Sequence, residues 1–280
     1  MHSGTMDFQE SSPSTAKTSK WFYDGPPVIR PDAREVLEKC SKIPSEEVDT
    51  HVAAVREKAW SIHPYPCIGG WRFLEFSNSE NTAYPEVLKR MRTGEQVYLD
   101  LGCAFAQDVR RLVADGVDSR QIYGSDLRLE FIDLGYELFR DRETLRTRFI
   151  DADIFNAESD LKDLVGKVDI IGASSFFHLF SWDEQIKIAR QVLRLLKPIP
   201  GSLLIGRQIG HREANEEPRG EGAGSRFRHS LESWRRFWKE AGDEAGVEMQ
   251  VDGKETAITE RMPMPLPEAF IVLEFAVRRV

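Results

Sequence analysis

Three carboxylates, Asp100, Asp126 and Asp153, stand at intervals that suit the rim of a nucleoside site. Each closes or follows an apolar, strand-like run: Val97–Leu101, Gln121–Ser125 and Arg148–Ile150. After Asp100 the chain turns through small residues, Gly102, Cys103, Ala104 and Ala106, with only Phe105 large. A turn of that composition lets a ligand approach the backbone closely. In an open α/β sheet, ligands bind outside the carboxyl ends of the strands, and an acid after the second strand accepts hydrogen bonds from ribose hydroxyls. Asp126, followed by Leu127, takes that position. Asp153 is placed to reach the edge of an adenine ring, with Ile154 and Phe155 against its face; Asp151 is the competing carboxylate. A nicotinamide dinucleotide needs Gly-x-Gly-x-x-Gly at its pyrophosphate. Here the turn has one glycine, and Asp100 would repel a pyrophosphate while suiting an amino group. The residues favour a cationic adenosyl cofactor, with Cys103 as a small filler.

A second group of reactive side chains follows the fourth strand-like run, in Ala173-Ser-Ser-Phe-Phe-His-Leu-Phe180. His178 is the leading polar candidate there, to orient a substrate oxygen or accept its proton. Its competing role is to cap a turn. Ser174 borders the cofactor side of the same stretch. Phe177, with Phe105, Phe176, Phe180 and Trp182, can line an apolar, water-poor pocket. Arg207 and Gln208 end the fifth run and are candidates for facing the substrate; the competing role is a strand-end salt bridge. Arg228 and His229 follow a charged, Gly-rich stretch, 210–224, and are candidates for binding a substrate carboxylate.

The elements that must position these groups read clearly. Strand candidates 97–101, 121–125, 148–150, 168–173 and 202–206 alternate with helical patterns at 105–115, 129–140, 159–165 and 182–196, and two more strands follow at 247–251 and 270–277. Ser181-x-x-Glu184 is a capping box, and Ser230 opens a further helix bearing Trp234, Phe237 and Trp238. Such alternation predicts an α/β, Rossmann-like, doubly wound, mostly parallel seven-stranded sheet. Residues 95–280 are assigned to it. Residues 1–20 read as a disordered tail. Residues 21–94 read as an N-terminal helical lid or dimerisation segment, with Ser45 as a helix cap before the apolar face Val48, Val52, Val55 and Ala59. The stretch 210–224 reads as a loop without periodicity.

Composition bounds the rest. The chain has 280 residues and a net charge of −8, with basic residues interleaved among acids, so nucleic acid is not the expected partner. No apolar run approaches the ~20 residues of a membrane span, and no secretory signal opens the chain. Three cysteines without a C-x-x-C pair argue against a disulfide framework or a metal site and for a reducing, cytoplasmic setting.

Asp100-Leu-Gly-Cys-Ala, Asp126 and Asp153-Ile154 resemble the class I S-adenosylmethionine-dependent methyltransferases, with Ala104 and Ala106 where that family has glycines. The stretches Ala173–Phe180, Leu196-Lys-Pro198, Gly206–Gly210, Arg228–Trp234, Trp21-Phe-Tyr23 and Tyr65-Pro-Cys-Ile68 resemble a fungal secondary-metabolite subgroup. That subgroup includes carboxyl O-methyltransferases of meroterpenoid pathways. The resemblance implies S-adenosyl-L-methionine as cofactor, a farnesylated aromatic acid as substrate and a homodimer. A phenol or carbon acceptor on a polyketide-type substrate, and a non-catalytic regulator, are the alternatives. Substituting Asp126 is expected to weaken the cofactor with little effect on folding.

Overall fold

The computed structural model describes residues 21–219, 224–258 and 266–280, together with 15, 17 and 19. The expected tail, 1–20, therefore lies almost wholly outside the described residues.

Four helices precede the sheet: α1 (Pro31–Glu35), which runs into a π-turn at Val36–Cys40, α2 (Val48–Ile62), α3 (Pro66–Gly69) and α4 (Tyr84–Met91). Val48, Val52, Val55 and Ala59 are fully buried along one face of α2, as their spacing predicts. Ser45 does not cap that helix. Glu47 holds the cap position, and the Ser45 hydroxyl donates to Glu38 at 2.8 Å instead. Arg56 on α2 lies between the rings of Phe22 and Trp71, 3.9 Å from each centroid, and donates to the carbonyls of Tyr23 and Gly69. This cation–π sandwich ties Phe22 and Tyr23 to Gly69 and Trp71. The segment shares one apolar cluster with Phe105, Phe131 and Leu138 of the following region.

The sheet contains β1 (Tyr98–Leu101), β2 (Ile122–Asp126), β3 (Arg148–Asp151), β4 (Ile170–Gly172) and β5 (Leu203–His211). A hairpin of β6 (Asn215–Pro218) and β7 (Ser225–Arg228) follows, then β8 (Met249–Ala257) and β9 (Phe270–Arg279). The seven-stranded order is β3-β2-β1-β4-β5-β9-β8, parallel except for β9, which runs antiparallel to both neighbours. Strand order reverses between β1 and β4, which makes the crevice above them the expected ligand position. Between strands lie α5 (Gln107–Ala114), α6 (Leu129–Phe139), α7 (Trp182–Leu195) and α8 (Leu231–Ala245).

Strand alternation sorts the core. Leu99, Leu101, Ile171 and Leu204 face α7 and α8, while Tyr98, Ile170, Leu203 and Ile205 face α4 and α5. Both faces are covered, as a parallel sheet requires. The capping box at Ser181 and Glu184 is made on both sides. No helix of the described residues is long and apolar enough to cross a membrane.

The structure departs from expectation at 210–224. β5 runs to His211, paired with β9 over its whole length, and 215–218 pairs with 225–228 as a hairpin. Neither hairpin strand alternates apolar and polar residues. The pairing rests on backbone bonds and on Glu217, which accepts from Arg226 and Arg228.

Candidate active site

The turn after β1 is wound left-handed at every second residue: Gly102, Ala104 and Ala106 have φ of +70°, +47° and +50°. An L-residue adopts that conformation at a cost of about 1–2 kcal/mol. The two alanines therefore occupy positions whose backbone asks for glycine. At Gly102 a Cβ would also lie 2.4 Å from the Phe176 ring, so any larger residue requires that ring to move. The winding aims backbone N–H groups at β2. Gly102 and Cys103 both donate to the Ser125 carbonyl, at 2.8 and 3.0 Å, and Ala104 donates to the Asp126 carboxylate at 2.8 Å. The other Asp126 oxygen accepts from Arg128 N–H at 3.0 Å. Asp126 thus ties the two turns of the rim together, a structural role beside the cofactor role expected of it.

Asp100 is 4% exposed and accepts no hydrogen bond among the described residues. Burial, with Asp108 and Asp126 nearby, raises its pKa well above the usual carboxylate range. An unmatched buried carboxylate of this kind is costly unless a cation arrives. Asp108, chiefly through burial, is pushed up to about 7. Leu127, beside Asp126, is 64% exposed and offers an apolar face at the rim. Asp153 is exposed and accepts from Phe155 N–H at 2.9 Å; Ile154 beneath it is buried. Cys103 is buried with its sulfur beside Gly124. These groups fit a cationic adenosyl cofactor: a carboxylate without a partner, a close-approach turn, a rim acid and an apolar shelf.

Sequence reasoning missed Asn78, from the N-terminal segment. Its N–H donates to Asp108 at 2.9 Å and its amide to the Tyr98 hydroxyl at 3.1 Å, and its carbonyl accepts from Ser174 at 2.8 Å. Ser174 is so held against the rim by a residue 96 positions away. No local pattern around Asn78 signals that role.

Across the crevice, His178 sits in a 3-10 turn, Phe177–Leu179, above the end of β4. Its Nδ1 accepts from Ile209 N–H at 3.4 Å. Burial first, then the guanidiniums of Arg228, Arg72, Arg226 and Arg207, hold the imidazole well below its usual pKa. Both effects favour the neutral ring, and the Ile209 contact fits the tautomer with its proton on Nε2. Phe176 faces the crevice over Gly102 and meets Phe180, with ring centroids 5.2 Å apart; Phe155 meets Phe180 at 5.5 Å. Phe177, expected to line the substrate pocket, instead points into the core against Trp234 and Trp238. The strand-to-turn transition reverses the two faces, and the neighbour takes the role.

His229 is likewise turned away from substrate. It is 1% exposed among Trp182, Phe227, Trp234 and Phe237, with Nδ1 at 2.8 Å from Ser233 and Nε2 at 3.1 Å from Gln185. Both ring nitrogens are used within the core, and burial pushes its pKa down to about 3. Arg228 is buried and donates to the carbonyls of His178 and Ile209, so it fixes the His178 turn from below. Arg207 pairs with Glu75 and, at 3.7 Å, with Glu80 on the side facing the N-terminal segment.

Comparison with known proteins agrees with this geometry. A family model described as meroterpenoid methyltransferase N-terminal domain matches residues 21–74, and one described as methyltransferase domain matches residues 99–199. The chain is 44% identical to the O-methyltransferase phiE of a fungal species, over 79% of this chain and 74% of that protein. It is 44% identical to the O-methyltransferase atr3 of Stereocaulon alpinum, over 88% of this chain and 72% of that one. It is 45% identical to the Asnovolin E/Chermesin D methyltransferase nvfJ of Aspergillus novofumigatus, over 80% and 81%. Among solved structures, the [4+2]-cyclase SpnF matches 90% of this chain and 98% of its own with a TM-score of 0.51 at 14% identity, which shows the shared fold alone. The chain belongs to the fungal meroterpenoid family of S-adenosylmethionine-dependent O-methyltransferases.

Proposed function

We propose that the acceptor is a carboxylate, and that the product is the methyl ester of a farnesylated aromatic acid. One observation carries the reading: His178 is poorly suited to be the base a phenol would need. Its Nδ1 is engaged by Ile209 N–H, its Nε2 bears the proton, and surrounding guanidiniums oppose any further protonation. A carboxylic acid is already ionised at neutral pH, its pKa being near 4, so no base is required. The cations that disfavour an imidazolium favour an arriving carboxylate.

Bound S-adenosylmethionine supplies an electrophilic methyl group on a sulfonium centre. The unpaired Asp100 carboxylate would hold the cofactor's amino group. Gly102, Cys103 and Ala104 would give the close approach, Asp126 would take the ribose, and Leu127, Asp153 and Ile154 would take the base. Ser174, fixed by Asn78, borders the reacting end. His178 donates from Nε2–H to the acceptor carboxylate and aligns one oxygen. Phe176, Phe180 and Phe155 exclude water, which strengthens the attraction between anion and sulfonium. Arg207 supplies positive potential at the acceptor, while Arg228 positions the His178 turn. Residues 21–94 act as a wall of the site rather than a separate arm, and exposed Tyr23 and Val28 are surfaces for the proposed homodimer in a cytoplasmic setting.

Methyl-labelled cofactor with a panel of farnesylated acids and phenols tests the acceptor. Label released as methanol by alkali is the expected result. Alkali-stable label, with a rate rising tenfold per pH unit, overturns the reading in favour of a phenol or carbon acceptor. Sedimentation tests the dimer.

A further inference from the structure

The hairpin of β6 and β7 presents two unlike faces. Strand alternation puts Glu217, Arg226 and Arg228 on one face, with Arg219 continuing it, and Phe227 on the other. Phe227 turns to the core, its ring centroid 4.9 Å from that of Trp182 and 4.7 Å from that of His229. The arginine face turns to the crevice. Arg228 donates to the carbonyls of His178 and Ile209. The Arg219 guanidinium lies 6.0 Å from the centroid of Phe180, the ring that meets Phe176 over Gly102.

Buried groups fix the hairpin there. Phe227 N–H donates to the Phe180 carbonyl at 2.8 Å. The Gln185 amide donates to the carbonyls of both Phe180 and Phe227, at 2.9 and 3.1 Å. Gln185 is fully buried, and its Oε1 lies 3.1 Å from His229 Nε2. His229 thus serves the acceptor side indirectly, by orienting the amide that ties β7 to the lip of the crevice.

Charge on the crevice face does not balance. Three guanidiniums share one carboxylate, Glu217, which accepts from Arg226 Nε at 3.3 Å and from Arg228 Nε at 3.4 Å. Both bonds are longer than the usual range for N–H donors. Among the described residues Arg226 has no other ion-pair partner and Arg219 has none. The two terminal nitrogens of Arg226 keep four N–H donors, in the planar fork that matches a carboxylate. Exposure is graded along the face: Arg219 is exposed, Arg226 half-buried and Arg228 buried. An anion entering from solvent meets Arg219 first and Arg226 next, while Arg228 is already committed to the His178 turn.

We propose that Arg226 binds the acceptor's carboxylate from the hairpin side, on the oxygen that His178 does not align, and that Arg219 draws the anion in. The proposal rests on the carboxylate reading and names the residue that selects for the charge. It also accounts for release. Methylation converts the carboxylate to a neutral ester and the sulfonium to a neutral sulfide, with no proton to dispose of. The attraction that captured the acceptor is then gone, and the ester leaves.

The test uses calorimetric titration of the full chain saturated with S-adenosylhomocysteine, so it does not depend on turnover. The probes are a farnesylated benzoic acid and its methyl ester. The wild-type protein is expected to bind the acid at least about tenfold more tightly than the ester, the size of one charge-assisted hydrogen bond. Arg226→Met, which keeps the apolar stem, is expected to weaken the acid about tenfold and leave the ester unchanged. Arg226→Lys, which keeps the charge without the fork, should recover part of that loss. Glu217→Gln removes the competing charge but keeps an oxygen for Arg228. It is expected to tighten the acid about two- to threefold, the scale of a half-exposed ion pair, which a merely disordered hairpin would not do. A wild-type preference for the acid that Arg226→Met leaves intact overturns the proposal and spares the carboxylate reading. So does an equal loss of acid and ester in that variant, which would assign Arg226 a structural role. Acid and ester binding equally to the wild type overturns both.

Discussion

The two sides of the crevice are built by different means. On the cofactor side, β1 and β2 bring Asp100, the left-handed turn and Asp126 together within 27 residues of sequence, through backbone bonds to Ser125 and Asp126. On the acceptor side, His178 is placed by Ile209 and Arg228, Ser174 by Asn78, and Arg207 by Glu75 and Glu80. The first side is local and rests on backbone conformation. The second is assembled from distant segments and rests on charge. A methyl donor is the same molecule in every such enzyme, whereas the acceptor differs, and the adaptable side is the one made of side chains on separate elements.

The sharpest way to break the cofactor side is Gly102→Ala. The added methyl meets Phe176 at 2.4 Å on a backbone with φ +70°. Strain and overlap together should cost about 2–4 kcal/mol, read as a lower urea midpoint and the loss of thermal stabilisation by S-adenosylhomocysteine. An unchanged midpoint would mean the ring moves freely aside.

His178→Phe addresses the acceptor side alone. Turnover should fall roughly 10–100-fold, the scale of one charge-assisted hydrogen bond, with cofactor affinity unaltered. His178→Gln, which keeps a donor, should recover much of the rate and share the wild-type pH profile at saturating cofactor. A rise with pH in the wild type that the glutamine variant lacks would restore His178 as a base.

Asp126→Ala is expected to have a smaller effect than either. It frees Ala104 and Arg128 N–H groups, so about 1–2 kcal/mol of stability should be lost with the cofactor contact. Weakened cofactor with an unchanged melting temperature would show that the tie contributes nothing to folding.

Asp108→Asn separates the two sides by pH. Burial raises the Asp108 pKa to about 7, above its unfolded value near 4. A group raised on folding stabilises the fold while protonated, so its contribution is full below about pH 4 and fades as pH climbs through 7. Urea midpoints of the wild type should fall over that window, and the asparagine variant should fall less. Parallel curves would assign the slope to another group.

The smallest effect belongs to Ala104→Gly. Relief of the left-handed strain opposes the entropy that glycine adds to the unfolded chain. The net change should stay within about 1 kcal/mol in calorimetric melting. A larger loss would mean the alanine methyl packs usefully.

The same contrast explains what could be read before the structure. The helix and strand order from 97 to 206 was legible because apolar periodicity and turn chemistry are local. Strand ends were less so: β5 runs to His211 because β9 is there to pair with it. Phe177 and His229 share the crevice's sequence neighbourhood but not its space, since a turn after β4 and the packing of α7 on α8 decide which ring faces inward.

By itself the sequence determined the alternating elements, the doubly wound sheet and the acids at the ends of its strands, because each follows from spacing along the chain. Only the tertiary structure decided that Asn78 holds Ser174 and that Phe176 rather than Phe177 covers Gly102. Those features depend on groups far apart in the chain meeting across the sheet, and no periodicity encodes which distant side chain completes a hydrogen bond or a charge pair.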